Sequence, residues 1–189
     1  YTSDQGFYLG EHGWFDKRWM YEPSFRMPFM VKYPKKIKAG THNKELLLNI
    51  DFAPTLLDLA GVSIPKDIQG ESFKRQLFGK RYKGRDAVYY HYYEYPFWHK
   101  VQPHYGVSTG KYKLIHYYYD MDEWELFDLE NDKNEMQNLY GKPGYEKITF
   151  TLKQKIKSLQ KQYKDDMSLE EMRAMTDMVV KRVYSERNN

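Results

Sequence analysis

The chain has no cysteine among its 189 residues, so neither a disulfide framework nor a thiolate metal site can operate in it. That absence says nothing about compartment, because a cysteine-free chain is at home anywhere. No apolar run is long enough to cross a membrane as a helix, and no signal-peptide pattern is present. Glycine-rich nucleotide loops, a Ser-His-Asp set and metzincin spacing are missing too. Charge of one sign is scarce: 30 Lys and Arg stand against 26 Asp and Glu, a net charge of +4. Lys35, Lys36 and Lys38, and Lys153, Lys155, Lys157 and Lys161 on a helix, read as solvated faces. A nucleic-acid footprint would gather its basic residues into one patch or stripe, and no nucleic-acid partner is expected. Aliphatic content is modest, with a mean hydropathy of -0.88. What replaces it is tyrosine, 19 residues that carry apolar ring area together with a hydroxyl needing a partner. The core is therefore expected to be aromatic and hydrogen-bonded, and such surfaces also suit sugar rings.

The elements follow from pattern. Residues 26–33 read as a strand with Pro28 near its start, and 35–43 as a basic turn. Asp51 is a plausible N-cap for a helix with Pro54 in its first turn. Leu56, Leu57, Leu59 and Ala60 would form its buried stripe, and Gly61 its stop. A short helix is expected over 71–77. After the basic segment at 80–85 the composition shifts: 87–95, 105–109, 111–119 and 124–129 are rich in Val and Tyr and read as strands. Ile148, Leu152, Ile156 and Leu159 recur at helical spacing within 145–163. Ser168-Leu-Glu-Glu171 is a capping box opening a second helix over 168–184. The fold class is α/β: the tail of an α/β domain over 1–80, then a small antiparallel sheet packed by C-terminal helices over 81–189.

Chemistry concentrates at the start. Tyr1, Thr2 and Ser3 read as a strand end, with Gly6 permitting a sharp exit. Between them stand two adjacent oxygen donors, the carboxylate of Asp4 and the amide of Gln5, of the kind hard divalent cations take. In open α/β sheets ligands collect at the carboxyl ends of strands, where this pair would lie. Read alone, Asp4 would equally cap backbone amides in a turn, and Lys17 would be a surface lysine beside Arg18. His12 could serve as an acid, since imidazole titrates near working pH. Glu22 and Arg26 look like a buried pair bracing this loop. His104, and a loop carrying Trp98, His99 and Lys100, could contact a sugar or stand as plain exposed loop residues. His91, His116 and the tyrosines at 117–119 read as sheet residues.

The ordered set Ser3-Asp4-Gln5-Gly6, Leu9-Gly10-Glu11-His12-Gly13, Lys17, Arg26-Met-Pro28, Asn49-Ile-Asp51-Phe-Ala-Pro54, Ile68-Gln-Gly70-Glu-Ser72, Lys111-Tyr-Lys113 and Glu125-Leu-Phe-Asp128 resembles the type I sulfatases of the alkaline phosphatase superfamily. It is similar in particular to carbohydrate sulfatases of the N-acetylglucosamine-6-sulfatase kind, over residues 1–163. The resemblance implies a two-part layout like the one inferred above. It implies that Asp4 and Gln5 ligate a single calcium ion, Gln5 standing where many members have Asn or His. It assigns Lys17 to the substrate's sulfate and His12 to a supporting role in the loop. It places His104 at an edge facing the substrate pocket. The family's nucleophile is a formylglycine made within Cys/Ser-x-Pro/Ala-x-Arg, and no such motif occurs here. The expectation is thus a C-terminal portion, inactive alone, of a longer sulfatase whose N-terminal part supplies the nucleophile and the remaining metal ligands. Its substrate would be a sulfated carbohydrate such as a glycosaminoglycan sugar, and its compartment periplasmic, secreted or lysosomal. A phosphodiesterase or phosphonate hydrolase of the same superfamily, or a non-catalytic carbohydrate-binding domain, are the rival readings.

Overall fold

The computed structural model describes residues 1–80 and 82–187. Arg81, where the second part was expected to begin, lies outside them. The chain forms two compact units, and both are discontinuous in sequence: Tyr1–Asp4 group with Met27–Asp86, and Gln5–Arg26 group with the residues from Ala87 onward.

The first unit is built around α2 (Phe52–Ala60), which follows a single turn of 3-10 helix at Asn49–Asp51. Asp51 stands at its N-cap position, but its side chain caps no N–H of this helix. Its buried carboxylate accepts the backbone N–H of Leu48 at 2.7 Å and of Glu71 at 2.8 Å, and takes the Arg85 guanidinium on both oxygens. The close passage of residue 70 beside Ile50 demands glycine, because a Cβ on Gly70 would lie 2.0 Å from the Ile50 carbonyl. Gly61, with φ of 72°, terminates the helix as expected. Two expectations fail. The stripe at Leu56 and Leu59 is 65% and 38% exposed in this chain, and Pro54 and Thr55 are the buried face. Thr55 explains it: its hydroxyl bonds Asp51 O at 2.7 Å and receives Phe73 N at 3.0 Å, turning that side of the helix toward residues 70–73. Residues 26–33 form no strand. Only Phe29 bridges to Thr2, and Pro28 has no N–H to extend the ladder. α3 (Lys74–Leu77) closes the unit.

The second unit is a four-stranded antiparallel meander: β3 (Val88–Tyr92), β4 (His104–Ser108), β5 (Tyr112–Tyr117) and β6 (Glu123–Asp128). Val107, Leu114 and Leu126 face α4 (Glu146–Tyr163), which supplies Leu152, Ile156 and Leu159; Met172 of α5 (Leu169–Arg187) joins them. The capping box forms as expected, Ser168 N to Glu171 Oε2 at 2.7 Å and Glu171 N to Ser168 Oγ at 3.2 Å. By strand alternation Ile115, Tyr117 and Phe127 face the other way, onto Tyr8, Trp19, Met20 and Tyr21. The segment Gln5–Arg26 therefore forms the second cover of the sheet. Gly106 opens the space for it, since a Cβ there would meet Met20 Sδ at 2.6 Å. A buried charge cluster ties the layers: Lys113, fully buried on β5, reaches the partly exposed Glu22 at 2.8 Å and the buried Glu135 at 2.7 Å. Glu22 thus pairs with Lys113 rather than with Arg26, whose side chain is exposed; Arg26 contributes only its N–H, to Glu22 O at 2.8 Å.

Candidate functional site

Gln5–Arg26 is held by its own main chain. β1 (Tyr8–Leu9) and β2 (Phe15–Asp16) pair across a 3-10 turn at Glu11–Gly13. Gly10 and His12 both carry positive φ, 128° and 56°. His12 is fixed there by its ring, stacked at 4.6 Å on Tyr21. Glu11 folds back to accept Leu9 N–H at 2.6 Å, and that bond holds its carboxyl below the usual range. Tyr21 in turn donates to Glu125 at 2.6 Å, and burial raises the Glu125 carboxyl. His12 thus braces the loop by stacking.

Around Lys17 the main chain is clamped. The Lys17 carbonyl accepts the Gln5 amide N–H and the hydroxyl of Ser24 at 2.7 Å. Ser24 sits in the four-residue helix α1 (Glu22–Phe25) and is 1% exposed. Its own carbonyl receives Gly6 N at 2.8 Å, a passage so close that a Cβ on Gly6 would stand 2.1 Å from Pro23 O. The Gln5 nitrogen is thus committed to the Lys17 carbonyl and the Ser24 hydroxyl, and its amide oxygen is a neutral donor of the type hard cations take. Asp4 precedes it in the chain. Two oxygen donors are fewer than calcium takes, and no group of three or more His, Cys, Asp or Glu gathers among the described residues. A calcium ion held by these two donors would need most of its ligands from outside the described residues.

Asp16, with φ of 94°, is the hub beside Lys17. Its carboxylate holds the Arg18 guanidinium and lies 2.7 Å from His99 Nδ1, while Arg18 also approaches Glu94 at 3.4 Å. These pairs pin the loop that carries Trp98, 86% exposed, to Asp16, the last residue of β2 and the neighbour of Lys17. Sequence reasoning missed Asp16 as a hub and Ser24 altogether. Neither has a spacing signal, because both act through folded proximity.

His104 is a correction. It is not at an exposed edge but fully buried, its Nδ1 2.7 Å from Gln102 O and its ring packed between Trp19 at 5.7 Å and Tyr92 at 5.5 Å. β4 turns this side chain inward, onto the aromatic cluster under Gln5–Arg26, so it cannot touch a sugar in this fold. Burial pushes its pKa down to about 4. The same holds for His116, pushed down to about 4 by burial and stacked 4.0 Å from Trp124. Both are neutral when folded, while the unfolded chain takes up their protons below about pH 6.5. Stability present above that value is therefore lost as pH falls toward 4. Melting temperature followed from pH 7 to pH 4.5 should drop progressively, and a flat profile over that interval would count against neutral burial.

The comparisons with known proteins agree in direction. A family model described as N-sulphoglucosamine sulphohydrolase, C-terminal, matches residues 10–162. The chain is 54% identical over 169 residues to an N-acetylglucosamine-6-O-sulfatase of Bacteroides thetaiotaomicron, covering 88% of this chain and 30% of that protein. It is 35% identical over 164 residues to an arylsulfatase of Clostridium perfringens, covering 85% and 33%. The solved structure of BT4656 in complex with its substrate D-glucosamine-2-N,6-O-disulfate superposes with a TM-score of 0.85 at 54% identity, over 90% of this chain and 35% of that one. A phosphonate monoester hydrolase of Agrobacterium radiobacter, at 21% identity and a TM-score of 0.73 over 85% and 34%, shares the fold alone. The chain spans about a third of the length of the curated relatives it matches.

Proposed function

Because the chain belongs to the sulfatases, through the C-terminal family of N-sulphoglucosamine sulphohydrolase, we propose that it is the C-terminal part of an enzyme hydrolysing sulfate esters on amino sugars of the glucosamine type. The observation that carries the reading is the clamped Gln5–Arg26 segment, which fixes Gln5 and Lys17 relative to one another on one face of the sheet. Lys17 is assigned to the sulfate. Its compact ammonium, three donors on a flexible stem, suits charge building on sulfuryl oxygens as the ester bond breaks. Asp4 and Gln5 are assigned to one edge of a calcium site. When bound, the ion would orient the sulfate, and a formylglycine from the N-terminal part would supply the nucleophile. The division of the longer enzyme at 80/81, into catalytic domain and C-terminal subdomain, belongs to the same proposal.

Trp98 is assigned to the sugar. Its exposed indole, pinned beside Lys17 through Asp16 and His99, offers a flat apolar face of the kind pyranose rings stack on. Trp98→Ala in the full-length enzyme should raise KM for a 6-O-sulfated N-acetylglucosamine about tenfold, the scale of one aromatic stacking contact. It should leave KM for a small aryl sulfate unchanged, and an equal effect on both would remove the tryptophan from sugar recognition. The test of the function itself is sulfate release from sulfated glucosamines by the full-length enzyme with calcium. Phosphonate and phosphodiester substrates run in parallel, and faster turnover of those would transfer the assignment to the rival reaction.

A further inference from the structure

We propose that Ser24 is a positioning residue that couples the metal edge of the site to its sulfate-binding lysine. The inference rests on the assignments of Gln5 and Lys17 above and adds to them a residue that makes no contact with ion or ester. Three observations carry it. The Ser24 hydroxyl donates to the Lys17 carbonyl at 2.7 Å, and the Gln5 amide N–H reaches both that carbonyl and the Ser24 oxygen, the latter at 3.2 Å. Ser24 is 1% exposed, so no water substitutes for it at full strength. Its main chain is held too, with Gly6 N on Ser24 O at 2.8 Å and Ser24 N on Tyr21 O at 3.0 Å.

The three groups form a closed triangle of hydrogen bonds. A cation drawing on the Gln5 oxygen polarises the amide, strengthens its N–H as a donor and so tightens the grip on the Lys17 carbonyl. The converse holds by linkage: a sulfate that fixes Lys17 stiffens the amide that faces the ion. Ser24 is the corner that keeps both from rotating. Its hydroxyl satisfies the second lone pair of the Lys17 carbonyl and limits the torsion of the Gln5 side chain. Glu22, two residues earlier in the same short helix, is anchored to Lys113, so the corner itself is tied to the sheet.

The experiment uses the full-length enzyme and reads two constants, the calcium Kd by titration calorimetry and KM for a sulfated glucosamine. Ser24→Ala is expected to weaken calcium binding and raise KM by about five- to tenfold each, the loss of one neutral hydrogen bond. The kcat should stay within about threefold. Ser24→Thr, which keeps the hydroxyl, should bring both constants back toward wild type. A folded Ser24→Ala enzyme with both constants within twofold of wild type overturns the coupling. A merely structural serine would lower the melting temperature without moving the calcium Kd of the folded fraction, and that result also overturns it. Where Ser24→Ala does not fold, Gln5→Glu carries the test. It keeps an oxygen for the ion and removes the donor to Lys17, so calcium affinity should be retained while KM rises. Retained calcium binding with an unchanged KM would refute the clamp. Failure of the site reading is distinguishable, since there Lys17→Ala itself would leave KM and kcat unchanged.

Discussion

Lys113→Met is expected to destabilise the protein by about 3–5 kcal/mol, the cost of removing one partner from a buried ion cluster. The lysine is fully buried on the central strand β5, between Glu22 Oε1 at 2.8 Å and Glu135 Oε1 at 2.7 Å. The second oxygen of Glu135 accepts the Glu22 N–H at 2.6 Å, so both carboxylates are geometrically committed. Methionine nearly matches the lysine stem in volume, so packing is a small part of the loss. What remains is two carboxylates without a cation in a place where burial already raises the Glu135 carboxyl above its usual range. Raised further without its cation, that carboxyl folds comfortably only when protonated. The added stability of the protonated form is present below the unfolded value and lost as pH rises. The gap between variant and wild type should consequently widen from pH 5 to pH 8. Adding Glu135→Gln to the variant should recover part of the loss. Thermal and chemical unfolding at the two pH values check all three points, and a difference below about 1 kcal/mol at pH 8 would mean that the cluster is spectator to stability.

Lys17→Ala should lower kcat/KM for the sulfated glucosamine by about 10²- to 10³-fold, the range for losing one well-placed donor to developing charge. Melting temperature should hardly move, because the clamp acts on the Lys17 carbonyl, which alanine retains. Lys17→Arg should recover little, since a planar guanidinium cannot place its donors where an ammonium does. Steady-state kinetics on the three proteins decides it, and full activity in Lys17→Ala would dismiss the residue from the site.

How much of this was legible in the sequence differs by distance along the chain. The two long helices were readable, because their apolar spacing and the Ser168–Glu171 box are local. So were the tyrosine- and valine-rich strands, whose alternation sets both faces of the sheet. Residues 26–33 misled because apolar composition suggests a strand while Pro28 and a single partner at Thr2 allow only a bridge. His104 misled for another reason. Its polarity suggests solvent, yet Trp19, which packs on it, lies 85 residues away in sequence (104 − 19). The pairing of Glu22 with Lys113 was hidden the same way, across a separation that no window of residues spans. In the candidate site, Asp4, Gln5 and Lys17 came from an ordered motif. Ser24 and Asp16 came only from the fold.

The second cover of the sheet has a consequence for how the protein can be taken apart. Gln5–Arg26 and the residues from Ala87 onward belong to one compact unit although residues 27–86 lie between them. A cut at 80/81, the boundary read from the sequence, would free the strands together with α4 and α5 but strip away Tyr8, Trp19, Met20 and Tyr21. Ile115, Tyr117 and Phe127 would then face water as one apolar patch, the kind that makes isolated sheets associate. The sheet is thus not an excisable module. Any dissection or transplant of it must carry Gln5–Arg26 along.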